Sequence, residues 1–172
     1  YLLDETREWK VSELIFDPNT KKSVVVLDKV LQGRPILWPH LLHPHLIIPE
    51  SLQDTDGKCC IVGLSAFMQE PEAEILYKLE AIFFELYDPE EDPWNSRPFQ
   101  EIGVTPRMLI EFAKRRGLGC LAMHGNVAFH RAYANNPRKK CLCFSYWGNH
   151  AYFNSNANEF SKMTIYNPED AC

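Results

Sequence analysis

No apolar run in the 172 residues approaches the length of a membrane span, and no basic stretch followed by an apolar one opens the chain. A membrane role is therefore not expected. The first residue is Tyr1 rather than Met, so the chain is expected to be a domain excised from a longer protein. Positive charge is also in deficit. Lys and Arg number 18 against 23 Asp and Glu, a net charge of -5. That balance argues against a nucleic-acid-binding face and suits a partner with a basic surface or tail. Internal repeats and low-complexity segments are missing as well.

Cysteine is present without a framework. Cys59 and Cys60 are adjacent, Cys141 and Cys143 lie two apart on one strand, and Cys120 and Cys172 stand alone. This pattern suits reduced thiols in a cytosol-like compartment, a host cytosol included, better than a secreted disulfide scaffold. A hydrophobic content of 45% and a charged content of 24% are those of a globular domain, and the length suits one domain with a real core. A monomer is expected.

Residues 1–32 form an opening region, with strand or short-helix character at 9–16 and a β-branched run at 23–27. Pro35, Pro39, Pro44 and Pro49 predict an extended arm over 35–50. The arm's His40, His43 and His45 lack a cysteine or carboxylate at ligand spacing, so no metal is expected there. Helices are expected at 59–70, where Ile61, Val62, Leu64, Ala66, Phe67 and Met68 are apolar, and at 71–87, where Leu76, Leu79, Phe83 and Leu86 share a face. The acidic loop 88–93 follows. Thr105-Pro106 predicts a capped helix start, and Lys114-Arg115-Arg116-Gly117 its basic end. Strands are expected at 119–123, 127–130, 141–147 and 150–154, the last two joined through Gly148-Asn149 as a hairpin. The fold class is α+β, a small mixed or antiparallel sheet flanked by helices.

The stretch with most chemistry is Asp54-Thr55-Asp56-Gly57-Lys58-Cys59-Cys60, a polar turn running into an apolar helix. A cysteine at a helix N-terminus lies among unpaired N–H groups and the positive end of the macrodipole. Both stabilise a thiolate. A lone cysteine is more often a small buried hydrophobe, so a base is needed to raise the odds. His150, at the edge of the C-terminal hairpin, is the best candidate; His124 is its rival and His130 is weaker.

In this order, three blocks resemble the OTU (ovarian tumour) family of papain-like cysteine proteases. They are Asp56-Gly57-Lys58-Cys59-Cys60-Ile61-Val62-Gly63-Leu64-Ser65, the helix–strand unit from Gly103 to Met123, and Cys141-Leu142-Cys143-Phe144-Ser145-Tyr146-Trp147-Gly148-Asn149-His150-Ala151-Tyr152. The likeness covers about residues 50–154, a catalytic core of 51–154 between an N-terminal arm (1–50) and a C-terminal tail (155–172) in one domain. It implies a cysteine-dependent deubiquitinase that needs no cofactor and acts on ubiquitin, polyubiquitin chains or a ubiquitin-like modifier. Cys59 would be the nucleophile and His150 the base. Backbone N–H groups of Asp56, Gly57, Lys58 and Cys59 would bind the oxyanion. Trp147, Asn149 and the acidic Glu90 and Glu91 would line the substrate channel.

Two positions depart from the family. Lys58 stands where Asn or Asp is usual, and Tyr152 stands where a polar residue orients the histidine. Asn154, Asp54, Asp56 or no side chain at all is left to hold the ring. Three other readings compete: an OTU-like module that binds ubiquitin without cleaving it, a self-processing protease, and a zinc-binding domain using Cys120, His124, Cys141 and Cys143.

Overall fold

Proline and threonine set the first frame. Thr105 caps the third helix by accepting a hydrogen bond from the Met108 N–H through its hydroxyl, and Pro106 opens that helix where no N–H partner is needed. The computed structural model describes residues 27–35, 47–87, 103–125, 127–136, 138–156 and 165–166. Its helices are α1 (Cys59–Met68), α2 (Glu72–Leu86) and α3 (Pro106–Arg115). Its strands are β1 (Gly119–His124), β2 (Val127–Ala132), β3 (Cys141–Trp147), β4 (His150–Asn154) and β5 (Ile165–Tyr166).

The sheet is mixed, in the order β4-β3-β1-β2-β5. The β1–β2 and β3–β4 pairs are antiparallel, whereas β1 runs parallel to β3 and β2 to β5. The class is α+β. The 3–4 hairpin turns through Gly148 and Asn149, with Trp147 opposite His150 and Gly148 at a φ of 60°. That is the tight turn the Gly-Asn pair predicts.

Ile75, Leu79, Ile82 and Phe83 form the buried line of α2, while Leu76 and Leu86 are half-buried at its margins. With Leu64 and Phe67 of α1 and Met108, Leu109 and Phe112 of α3, they cover the sheet face carrying Leu142, Phe144, Tyr146, Ala151 and Phe153. A smaller cluster on the other face joins Ile47, Leu121, Met123, Cys143 and Tyr152. Helix α1 lies close on β4 because residue 63 is glycine: a Cβ there would stand 2.2 Å from Cδ1 of Phe153. Glu70, paired with Lys78 and Arg116, ties the ends of α1 and α3 to α2.

The expected arm needs correction. Ile47 does pair with Asn154, and the Ile48 N–H donates to Phe153 O at 2.8 Å, as an extended chain would. Residues Pro49–Leu52 then form a 3-10 turn. A proline in its first position loses only an N–H that the turn leaves unbonded, so Pro49 starts this element rather than preventing it. The expectations for 1–26, for His40, His43 and His45, for the loop 88–93 and for Cys172 lie outside the described residues.

Candidate active site

The turn before α1 is built from its own polar groups. The Asp54 carboxylate accepts from the Asp56 N–H at 3.1 Å, and Thr55 O accepts from the Lys58 N–H at 3.1 Å. Asp56 and Gly57 both take left-handed backbone angles, φ 55° and 83°, which Asp tolerates and Gly adopts freely. Lys58 is the N-cap without a side-chain cap bond, and Cys59 is the first helical residue.

Cys59 is wholly buried, and its thiol donates to the Leu31 carbonyl at 3.3 Å. Its pKa is nonetheless lowered to about 5. The largest cause is a hydrogen bond from the Cys60 thiol; burial opposes it, and the hydrogen bond and charge of His150 and the Ala151 backbone reinforce it. Cys60 moves the other way, held protonated by burial and by the neighbouring Cys59 sulfur. The two adjacent thiols are thus pushed in opposite directions.

His150 opens β4 and is fully buried. Its Nδ1 lies 3.1 Å from Gly33 O and its Nε2 2.6 Å from Ser51 O. Carbonyl oxygens only accept, so both bonds form together only when both ring nitrogens carry hydrogen. Burial alone would lower the imidazole pKa, but the Cys59 hydrogen bond and charge and the two carbonyls outweigh it, and the net direction is upward. The shifts of Cys59 and His150 thus run in opposite directions, toward a charged pair, while the bond to Leu31 O is one that only the protonated thiol donates. Tyr152 meets the ring edge-on at 4.6 Å between centroids.

No family model, curated protein or solved structure matches this chain.

The remaining candidates divide cleanly. The side chain of Asn154 does not hold His150. Its oxygen accepts from the Asn156 N–H at 2.7 Å, and its buried Nδ2 has no partner among the described residues. Asp56 is exposed, and Asp54 pairs with Arg34. The orienting group is the main-chain carbonyl of Ser51, fixed in the 3-10 turn by the Ser51 N–H and hydroxyl, both bonded to Ile48 O. No side-chain signal in the sequence marks such a carbonyl.

The oxyanion set also narrows. The N–H groups of Asp56 and Lys58 are engaged inside the turn, while those of Gly57 and Cys59 have no acceptor among the described residues. Asn149 is exposed and contacts the site through its carbonyl; Trp147 stacks on His124 at 5.3 Å. Glu90 and Glu91 lie outside the described residues.

The zinc set is split. Strand register places Cys120 and His124 beside Leu142 and Tyr146, and Cys143 beside Leu121, hence on opposite sheet faces. Among the described residues no cluster of three metal-binding side chains occurs. His130 is on β2, next to Phe129 of the main core, and is not among the groups that shift Cys59 or His150.

A cavity of about 220 Å³ lies beside the turn before α1, lined by Gln32, Gly57, Lys58, Cys60, Ile61 and Val104 among others. Cys59 does not line it. Sequence reasoning had no signal for this hollow, nor for the residues 31–33 that cover the pair.

Proposed function

We propose that the protein is a cysteine-dependent deubiquitinase of OTU type, hydrolysing isopeptide bonds at the C-terminus of ubiquitin or a ubiquitin-like modifier. The observation that carries this reading is an imidazole set against a thiol at a helix start: Cys59 opens α1, and after the Cys60 hydrogen bond it is the hydrogen bond and charge of His150 that hold its pKa down against burial. Cys120, buried without such a partner, moves up, and Cys141 is lowered by its neighbour Cys143 and by Arg131, with no histidine among its causes.

In this reading the Cys59 thiolate attacks the carbonyl carbon of the modifier's terminal glycine. The developing oxyanion is met by the N–H groups of Gly57 and Cys59 at the positive end of α1. The His150 imidazolium gives its proton to the leaving lysine amine, which departs and leaves a thioester. Neutral His150 then takes a proton from water, whose oxygen attacks the thioester, and returns it to free the Cys59 sulfur. Ser51 O keeps Nε2 protonated, so Nδ1 is the nitrogen that works. A reducing, cytosol-like compartment fits a reaction that depends on a free thiol.

One observation favours a second reading, a module that binds ubiquitin without cleaving it: Cys59 and His150 are both fully covered. A ubiquitin probe with an electrophilic C-terminus separates the two. Labelling that is lost in Cys59→Ala and kept in Cys60→Ala is the expected result. Binding without labelling in the intact chain would favour the module.

A further inference from the structure

Residues 31–33 cross the candidate site, their main chain bonding on both sides of Cys59 and His150. The Leu31 N–H donates to Val104 O at 2.8 Å on one side of the cleft. The Gly33 N–H donates to Asn149 O at 2.7 Å on the other, next to the histidine. Between these points Leu31 O faces the Cys59 sulfur, Gln32 passes over Gly57, and Gly33 O faces Nδ1 of His150. Position 33 admits no side chain, because a Cβ there would lie 2.5 Å from Cβ of Asn149. Backbone bonding along an extended chain, with a side-chain limit at one position, is how an edge takes up a peptide.

Among the described residues, the two ends of this segment are held unequally. Upstream, the buried carboxylate of Asp28 accepts from the Tyr87 hydroxyl and from Nε of Arg107 at 3.0 Å, and Leu27 O accepts from the Arg107 N–H at 2.9 Å. Val30 and Leu31 are buried in the main core. Downstream, among the described residues next to Gly33, Arg34 makes a solvent-exposed pair with Asp54, of a kind that contributes little.

We propose that residues 31–33 are a built-in competitor: in the resting protein they fill a cleft made for an extended peptide with glycine beside Asn149, and Gln32 and Gly33 swing out on a root at Asp28 to admit substrate. This rests on Cys59 and His150 being the reactive pair. The segment is held rather than cut, because Gly33 O bonds to His150 and not to the N–H groups of Gly57 and Cys59, so its carbonyl is not presented for attack. Each strap carbonyl also occupies an atom the reaction needs. Leu31 O takes the sulfur and Gly33 O takes Nδ1.

The test is alkylation of the whole chain by iodoacetamide, followed cysteine by cysteine with mass spectrometry. In Gly33→Ala the new methyl expels the strap, and Cys59 should react about tenfold faster or more, since two strap hydrogen bonds of ordinary strength are lost. Cys120 and Cys143, buried elsewhere, should keep their rates. Adding Asn149→Gly to Gly33→Ala removes the worst clash, leaving the methyl 3.1 Å from the main-chain carbon of residue 149, and should bring Cys59 labelling part of the way back toward the slow rate. An unchanged Cys59 rate in Gly33→Ala would overturn the proposal. So would an equal rise at Cys120 and Cys143, which marks a loosened fold, or an intact mass showing the chain cut after residue 33. If Cys59 accelerates as expected while the variant ignores the ubiquitin probe, the competitor stands and the choice of ubiquitin as substrate fails.

Discussion

Nε2 of His150 donates to the main-chain carbonyl of Ser51 at 2.6 Å, so the ring that faces Cys59 is steadied by backbone rather than by a carboxylate or amide side chain. Asn154, two residues further along β4, has its amide oxygen turned to Asn156. Asn154→Ala should therefore leave the pH midpoint of Cys59 alkylation in place, while lowering stability by about 1 kcal/mol for the lost hydrogen bond. A displaced midpoint would return the orienting role to Asn154.

Removing the Cys60 donor should have the opposite effect. In wild type the Cys59 pKa is lowered to about 5, so the thiolate is present above that value and lost as pH falls through it. Cys60→Ala deletes the largest lowering contribution, and the acid limb should move upward, by just under one pH unit if the bond is worth about 1 kcal/mol. Alkylation at pH 6 falls and alkylation at pH 9 is kept. At the alkaline end the imidazolium is lost as pH rises through the His150 pKa, which lies above its ordinary value of 6.5. A turnover profile against pH should show that limb, and simple alkylation should not.

Gly63→Ala places a methyl against the Phe153 ring, at 2.2 Å before any relaxation. Overpacking of this kind costs about 1–3 kcal/mol. Thermal unfolding should move down by a few degrees for each kcal/mol at this chain length. Because α1 must lift from β4, Cys59 should also lose part of its low pKa. A variant as stable as wild type would show that α1 and β4 are not in contact there.

Tyr87→Phe leaves the buried Asp28 carboxylate with Arg107 as its remaining partner in this network. The loss of a charged-group hydrogen bond in the core should reduce unfolding free energy by about 1–3 kcal/mol, measurable by urea titration. Tyr87 itself is held protonated, first by burial and then by the Asp28 charge, so the effect should not vary across neutral pH.

What could be foreseen along this chain was set by side-chain chemistry at short range. Asp56-Gly57 before Cys59, Thr105-Pro106 before α3 and Gly148-Asn149 between β3 and β4 each specify their own geometry, and each element lies where those residues put it. Features made by the backbone were not visible. Ser51 O, Gly33 O and Leu31 O are the same carbonyl that every residue carries, and only tertiary packing selects them. The parallel alignment of β1 with β3 and the two-residue β5 depend on long-range pairing for the same reason. Asn154 shares the strand of His150, yet nothing local showed that its amide would turn to Asn156. At Pro49 the residue's effect was inferred with the wrong sign, because a proline at a first helical position excludes nothing.

The contact of Gly63 with Phe153 also has a temporal meaning. During synthesis the segment bearing Cys59 is complete long before the segment bearing His150 has been made, and α1 has no β4 to rest on until then. Its sulfur gains the histidine's share of its acidity only when the final hairpin docks. The growing chain thus carries a thiol that lacks the histidine's contribution, and the moment that contribution arrives is a chemical timestamp for the closing of the sheet.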